Sequence, residues 1–141
     1  MSMLQKDFFI ARESMISVFE LAHISNLPEM AYHHFMNYEN EVLYLLNEGK
    51  LSGVLSIGDL ERFFAKDEGG LKINQNYISI RTDDYNEAAA FFERSSTINE
   101  IPVVTEQGDF LGVIKREKTQ VCRRLQRRSL KAARTGESIR V

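Results

Sequence analysis

The sequence has little of what marks secreted, zinc-binding or membrane proteins. Its single cysteine, Cys122, has no cysteine partner for an internal disulfide or a zinc site, which fits a reducing compartment. No apolar run approaches the roughly 20 residues of a membrane span, and residues 1–6 do not begin a secretory signal. These absences predict a cytoplasmic protein with no membrane span.

The sequence also has little that would support catalysis or metal binding. No nucleophile, base and orienting group occur together in a recognisable motif, so we predict that the protein is not an enzyme and requires no cofactor. His33 and His34 are adjacent on a predicted helix and point about 100° apart, which disfavours joint chelation of a metal ion, and His23 has no second ligand beside it. Asp83 and Asp84 precede a predicted helix, which they are expected to cap.

What the sequence does have is an uneven distribution of charge. Its 141 residues are 43% hydrophobic and 27% charged, an ordinary globular composition, and the net charge is -2. Residues 115–141 contain ten basic and two acidic residues, a net charge of +8, which leaves -10 for the other 114 residues. A basic extension on an acidic body predicts a polyanion, a membrane surface or the acidic body itself as the partner of the extension.

The most informative feature of the sequence is an internal repeat. A shift of 59 residues aligns ENEVLYLLNEGKLSGV, from Glu39, with INEIPVVTEQGDFLGV, from Ile98, without a gap. The alignment extends over roughly forty residues in each copy, which indicates a repeated structural unit. Because about sixty residues bury only a marginal core, the two copies are expected to pack on each other and to leave a cleft between them.

Both copies predict the same order of elements, namely strand, helix, two strands as a hairpin, and a second helix. The predicted elements are 17–21, 27–37, 42–46, 51–56 and 58–65 in the first copy, and 77–80, 85–95, 101–105, 110–115 and 116 onward in the second. The fold class is therefore α/β (α+β), with two β-α-β-β-α units packed around a pseudo-twofold axis. The predicted divisions are a first repeat at 8–66, a linker at 67–76, a second repeat at 77–128 and a basic extension at 129–141.

Two stretches resemble a known family. EIPVVTEQGDFLGVI (100–114) and GVLSIGDL (53–60) are similar to the strand-turn-strand and the Gly-h-h-Ser-x-x-Asp signature of the CBS domain, named from cystathionine β-synthase, where h is hydrophobic. The tandem copies resemble a Bateman module over roughly residues 8–128. The resemblance implies a homodimeric regulatory module that binds an adenosine-containing ligand, such as AMP, ADP, ATP or S-adenosylmethionine, between the repeats and controls an attached or partner effector.

Two polar residues of the signature are candidates for ligand binding. The resemblance implies that Asp59 accepts hydrogen bonds from the ribose hydroxyls and that Ser56 lies near the ribose or phosphate, and a carboxylate is suited to vicinal hydroxyls. The local sequence equally favours a helix cap, because a serine followed three residues later by an acidic residue is a capping arrangement. The adenine would lie against four residues of the second copy: Ile80, Arg81, Thr82 and Pro102.

The second copy departs from the signature. Lys115 occupies the position of Ser56, and Lys118 occupies the position of Asp59. We therefore expect at most one site of this type in the chain. The two lysines, together with Arg81, are expected to offset the charge of the ligand's phosphates.

A different class of function stays open. The module could be a dimerisation scaffold without a ligand, or a nucleic-acid-binding adaptor whose basic C-terminal helix contacts phosphates. The apolar stripe of that helix is thin, which favours a solvated helix that leads out of the module. Its members are Val121, Leu125, Ser129 and Ala132.

Overall fold

The computed structural model describes residues 8–11, 15–66, 70–75, 77, 79–81, 85–116 and 123–136. After β1 (Phe8–Ile10), the first half contains β2 (Ser17–Glu20), a 3₁₀ turn (Leu21–His23), α1 (Leu27–Asn37), β3 (Val42–Asn47), β4 (Lys50–Ser56) and α2 (Ile57–Lys66). The second half contains β5 (Ile80–Arg81), α3 (Tyr85–Arg94), β6 (Glu100–Val104), β7 (Phe110–Arg116) and α4 (Arg123–Thr135). This order confirms the predicted fold class.

Each half has its own sheet. The first sheet has the order β2-β3-β4, with β2 parallel to β3 and an antiparallel hairpin of β3 and β4. The second sheet has the order β1-β7-β6-β5, with the same parallel pair and hairpin at β5, β6 and β7. Strand β1 pairs with β7, so residues 8–10 lie in the second sheet although the sequence assigns them to the first repeat.

Part of the predicted linker packs on the first half. The backbone N–H and C=O of Asn74 form hydrogen bonds with Val54 of β4, at 3.0 and 2.9 Å. Ile73 packs against the core of the first half. Ile73 and Asn74 therefore lie along the free edge of β4, whereas residues 67–69 lie outside the described part of the chain.

Each half buries its own hydrophobic cluster between helix and sheet. The first core includes Phe35, Leu43, Leu45, Leu55 and Leu60. The second includes Ile80, Ala88, Phe92, Ile101 and Ile114. A third cluster contains Tyr44 of the first half and Val113 of the second, and it joins the two sheets. Since full burial of a large apolar side chain contributes about 1.5–3 kcal/mol, this shared cluster stabilises the packing of the halves on each other.

The two hairpin turns meet around a pseudo-twofold axis. The N–H of Leu51 donates to the carbonyl of Gly108, and the N–H of Phe110 donates to the carbonyl of Gly49, both at 3.0 Å. Leu51 and Phe110 are one repeat apart, and so are Gly49 and Gly108. The reciprocal pair of bonds is what two equivalent turns make when they face each other.

The repeat contains a one-residue gap that the sequence alignment misses. The first turn consists of Glu48 and Gly49, both at positive φ, 54° and 79°, as a two-residue turn requires. The second turn spans 106–108, with Gly108 at φ 93°. The extra residue in the second turn shifts by one residue the correspondence between the strands that precede the two turns. Glu100, which pairs with Lys115, therefore corresponds to Val42, which pairs with Ser56.

The basic C-terminal helix packs on the first half. Helix α4 runs without a break across the predicted boundary at 128/129. Leu130 is fully buried and belongs to the first core, and Ala132 is also buried. The interpretation of α4 as a solvated helix that leads out of the module was therefore wrong, because its apolar side is covered by α1 and α2. No helix within the described residues has the length and apolar character needed to cross a membrane.

Polar contacts fix α4 to acidic residues of the first half. Arg134 donates to Glu29 of α1 through two nitrogens, at 2.6 and 3.2 Å, and this pairing lowers the pKa of the Glu29 carboxyl. The hydroxyl of Ser129 donates to Glu61 of α2. Among the three partners that the charge distribution allows for the basic extension, the contacts of α4 identify the acidic body of the same chain.

Candidate ligand-binding site

Ser56 and Asp59 cap the start of α2 reciprocally. The N–H of Ser56 donates to Asp59 Oδ2 at 3.1 Å, and the N–H of Asp59 donates to Ser56 Oγ at 3.1 Å. This pattern satisfies two backbone donors that a helix start leaves without intrahelical partners, and the carboxylate also favours the helix dipole. The prediction of a cap is confirmed.

The cap leaves Asp59 with further capacity to accept hydrogen bonds. An ionised carboxylate has about four acceptor sites. Asp59 uses one on Oδ2 for Ser56 and one on Oδ1 for Arg62. Its side chain is 21% exposed. The carboxylate is therefore held in one orientation by its own chain while part of it faces solvent, an arrangement that is compatible with donors from a ligand.

Arg62 belongs to this site, and the sequence analysis missed it. It lies one turn after Asp59, donates to Asp59 Oδ1, and keeps 65% of its side chain exposed. Gly58 lies against both ends of the arrangement, since a Cβ there would be 3.5 Å from Arg62 Nη1 and 3.8 Å from Ser56 Oγ. The sequence pattern that could have identified Arg62 is the i, i+3 spacing of an acidic residue and an arginine on one helix face.

In the second half, Lys115 is the residue equivalent to Ser56, and it is engaged in contacts within the chain. Lys115 Nζ lies 3.9 Å from Glu100 Oε2, and the two side chains are only 16% and 10% exposed. Glu100 Oε1 accepts a hydrogen bond of 2.6 Å from the hydroxyl of Tyr44, in the first half. Burial, together with the charge of Glu100, raises the pKa of Tyr44, so its hydroxyl remains a donor. Lys118 lies outside the described residues.

The remaining predicted residues differ in burial and in position. Ile80 is 2% exposed in the second core, so only its backbone could face a ligand, and Pro102 is buried as well. Thr82 lies outside the described residues. Arg81 lines a cavity together with Leu51.

Leu51 is the second residue of β4 and Ser56 is its last, so Arg81 and Ser56 are near opposite ends of that strand. The placement of Arg81 beside the ligand's phosphates therefore stays without support from these contacts. Among the described residues, Arg62 is a cation that adjoins the signature pair.

His33 and His34 have structural contacts. His34 forms a hydrogen bond with Ser17, a buried residue of β2, and stacks on Tyr38 with ring centroids 4.6 Å apart. Burial lowers the pKa of His34. His33 lies 3.8 Å from Glu29, one turn earlier on the same helix. Within the described residues, no group of three or more His, Cys, Asp or Glu side chains could hold a metal ion.

Comparison with known proteins identifies the fold through structure rather than sequence. No family model matches the chain, and no curated protein sequence matches it. Staphylococcus aureus OpuCA has a similar structure, with a TM-score of 0.58 and 16% identity over 85% of this chain and 94% of that chain.

Two similar structures contain adenosyl ligands. The CBS domain pair of protein MJ0100, in complex with 5′-methylthioadenosine and S-adenosyl-L-methionine, has a TM-score of 0.58 and 18% identity over 75% of this chain and 84% of its own. CBSX2 in complex with AMP has a TM-score of 0.56 and 18% identity over 76% of this chain and 86% of its own. The chain thus has the fold of a tandem CBS domain pair, the Bateman module, as the repeat and its motifs predicted.

Proposed function

We propose that the protein is a regulatory ligand-sensing module that binds one adenosine-containing ligand per chain beside Ser56 and Asp59 and controls an attached or partner effector. The observation that carries this proposal is the preformed arrangement of Ser56, Asp59 and Arg62 at the signature position of a CBS-pair fold. The complexes of two similar folds with AMP and with S-adenosyl-L-methionine support the choice of ligand class.

Each group of the arrangement has a distinct task in binding. The free acceptor sites of Asp59 receive the ribose hydroxyls, and the cap orients the carboxylate before the ligand arrives. The backbone N–H groups at the start of α2 and the guanidinium of Arg62 favour a phosphate or carboxylate group of the ligand. No bond of the ligand is made or broken in this scheme, so the module acts by binding alone.

Regulation follows if the ligand also contacts the second half, as the resemblance to the CBS signature implies. A ligand that fits one relative orientation of the halves better than another shifts the population toward that orientation. Helix α2 begins at the site and contacts α4 through Glu61 and Ser129, which makes α4 the natural route of the signal. The second signature position is occupied by Lys115 and Glu100, which supports a single ligand per chain.

Calorimetric titration with AMP, ATP and S-adenosylmethionine tests the proposal. We expect one equivalent of at least one of them to bind, and Asp59→Asn to weaken binding by about tenfold or more, because the amide keeps the cap but loses the charge. Asp109→Asn is the matched control, since Asp109 also accepts from the polar groups of a turn but lies at the hairpin tips. Absence of binding by all three compounds, or equal affinity of the Asp59→Asn variant, would contradict the proposal.

The alternative of a nucleic-acid-binding adaptor depends on the cations of α4. Arg134 pairs with Glu29, and Arg127 donates to the carbonyl of Tyr38 at 3.1 Å, so both contact the first half of the same chain. The side chains of Arg128 and Lys131 are exposed. Binding of DNA or RNA that weakens steeply with salt, without stabilisation by adenosyl compounds, would favour this alternative over the ligand-sensing module.

A further inference from the structure

The hydroxyl of Ser17 lies in a buried polar network at the end of α1. Ser17 begins β2 and is only 2% exposed. Its Oγ accepts a hydrogen bond of 2.7 Å from Asn40 Nδ2 and forms a second hydrogen bond with His34 Nε2. The network therefore joins β2 to the last turn of α1 and to the loop that follows that helix.

The network determines which nitrogen of His34 carries the proton. Among the described residues, Asn40 and His34 are the hydrogen-bond partners of the Ser17 hydroxyl. A serine hydroxyl has one proton to donate, and the amide nitrogen of Asn40 is itself a donor. Because buried polar groups are hydrogen-bonded, the hydroxyl proton belongs on the bond to His34 Nε2. His34 is therefore neutral in this network, with Nε2 as the acceptor.

Protonation of His34 breaks this pattern. The imidazolium carries hydrogen on both nitrogens, so Nε2 becomes a donor. Ser17 Oγ then meets two donors, and its own proton has no acceptor among the described side chains. A buried polar group that loses its partner costs the free energy of its desolvation. The buried network therefore favours the neutral form of His34.

The surroundings of His34 supply no negative charge to balance a proton. The ring contacts Phe19 edge-on at 5.3 Å and stacks on Tyr38 at 4.6 Å between ring centroids. In the part of the chain that the structure describes, no ion pair joins His34 to a carboxylate. The titratable and charged groups on the elements around it are Glu20, His33, Glu39, Glu41 and Arg127.

Burial outweighs the features that favour a charged His34. The C-terminal end of α1 and the stacked ring of Tyr38 both favour a cation. Burial nevertheless lowers the pKa of His34 below its ordinary value of 6.5. The folded protein therefore binds this proton less readily than the unfolded chain does. The stability that neutral His34 contributes is complete above pH 6.5 and is lost as the pH falls through the lowered pKa of the folded state.

We propose that His34 is an acid-sensitive switch of the module, which holds the end of α1 to β2 when it is neutral and releases it when it is protonated. The imidazole forms the bond to Ser17 only as an acceptor. Mild acidification therefore loosens β2 and the last turn of α1 together, without any ligand.

The contacts around the switch connect it to the rest of the module. Met15 and Ile16, which precede Ser17, pack in the cluster that joins the two halves. Tyr38, which stacks on the ring of His34, accepts a hydrogen bond from Arg127 of α4 at its carbonyl. The release of Ser17 and Tyr38 therefore affects both the contact between the halves and the docking of α4.

NMR of the imidazole and amide signals between about pH 8 and pH 5 tests the switch. We expect His34 to titrate with a midpoint below 6.5, and the amide signals of Ser17, Asn40 and Tyr38 to shift with the same midpoint. A His34 midpoint at or above 6.5, or amide signals of Ser17 and Asn40 that do not follow it, would overturn the proposal.

Ser17→Ala tests the direction of the hydrogen bond. The variant removes the donor that stabilises neutral His34, so the midpoint of the His34 titration should rise by about half a pH unit or more. An unchanged or lower midpoint would show that Ser17 does not donate to His34 and would also overturn the proposal.

Two matched variants separate the switch from other effects of pH. Between about pH 7.5 and pH 5.5, acidification should lower the melting temperature of His34→Gln by at least about 3 °C less than that of the wild type, because glutamine does not titrate. His33→Gln, the same change at the exposed neighbouring residue, should keep the dependence of the wild type. Equal dependence in His34→Gln and the wild type would contradict the switch. These measurements use no ligand, so their outcome is independent of the nucleotide test.

Discussion

Single residues determine how closely the linker segment approaches β4. Gly53 and Gly112 are equivalent in the repeat, but their surroundings differ. A Cβ at Gly53 would lie 2.4 Å from Ile73 Cγ2, whereas a Cβ at Gly112 would meet nothing within 4 Å. Ile73 is β-branched, so its Cγ2 cannot move away without a change of rotamer.

We predict that Gly53→Ala lowers the free energy of unfolding by about 1–3 kcal/mol, because the added methyl group displaces Ile73 from the first core. Gly112→Ala is the matched control and should change it by less than about 0.5 kcal/mol. Urea denaturation of the two variants measures the difference. Equal stabilities of the two would mean that Ile73 does not pack against Gly53.

For single residues, the sequence predicted those contacts whose partners are close together in the chain. The cap of Ser56 and Asp59 involves residues three apart, so the pattern alone predicted it. The partner of Lys115 is in a neighbouring strand, and Tyr44 lies in the other half, so the network around Glu100 could not be read from spacing. The one-residue gap at the second turn was missed because both turns contain a glycine that aligns without it.

Among the elements, α4 differs most from its prediction. A helix of this sequence has a strongly basic surface, and by itself it would be expected in solvent. Its place is decided by α1 and α2, which present apolar side chains and the acidic residues Glu29 and Glu61 to it. The periodicity of a helix gives the direction of its apolar side, but not the surface that covers it.

We predict that Leu130→Ala destabilises the protein by about 2–5 kcal/mol, since it leaves a cavity in the first core. Arg128→Ala, on the exposed side of the same helix, should change the stability by less than about 0.5 kcal/mol. Chemical denaturation followed by circular dichroism distinguishes the two. A Leu130→Ala variant as stable as wild type would place α4 away from the core.

For the whole molecule, the contacts between the halves suggest a single cooperative unit. The cluster of Ala11, Tyr44 and Val113, the paired hairpin turns and the packing of α4 all join parts of the chain that lie far apart in sequence. Neither half retains its full core when these contacts are removed. Homodimerisation and a cytoplasmic location stay predictions at this scale.

We predict one thermal unfolding transition for the chain, with agreement between the calorimetric and van't Hoff enthalpies. A bound adenosyl ligand should stabilise the whole unit by about 2.7 kcal/mol when present at 100 times its dissociation constant. Differential scanning calorimetry with and without ligand measures both quantities. Two separate transitions, only one of which shifts with the ligand, would show that the halves unfold independently.

The sequence by itself determined the repeat, the order of strands and helices within the repeats and the cap at Ser56, because each depends on periodicity, turn residues or contacts within a few positions. Only the tertiary structure decided that residues 8–10 join the second sheet, that α4 covers the first core, that Glu100 engages Lys115, and that Arg81 faces a cavity away from Ser56. These outcomes depend on which distant surfaces meet. Which surfaces meet is determined by the burial of apolar area and the pairing of charges between distant parts of the chain. A local sequence pattern does not contain this information.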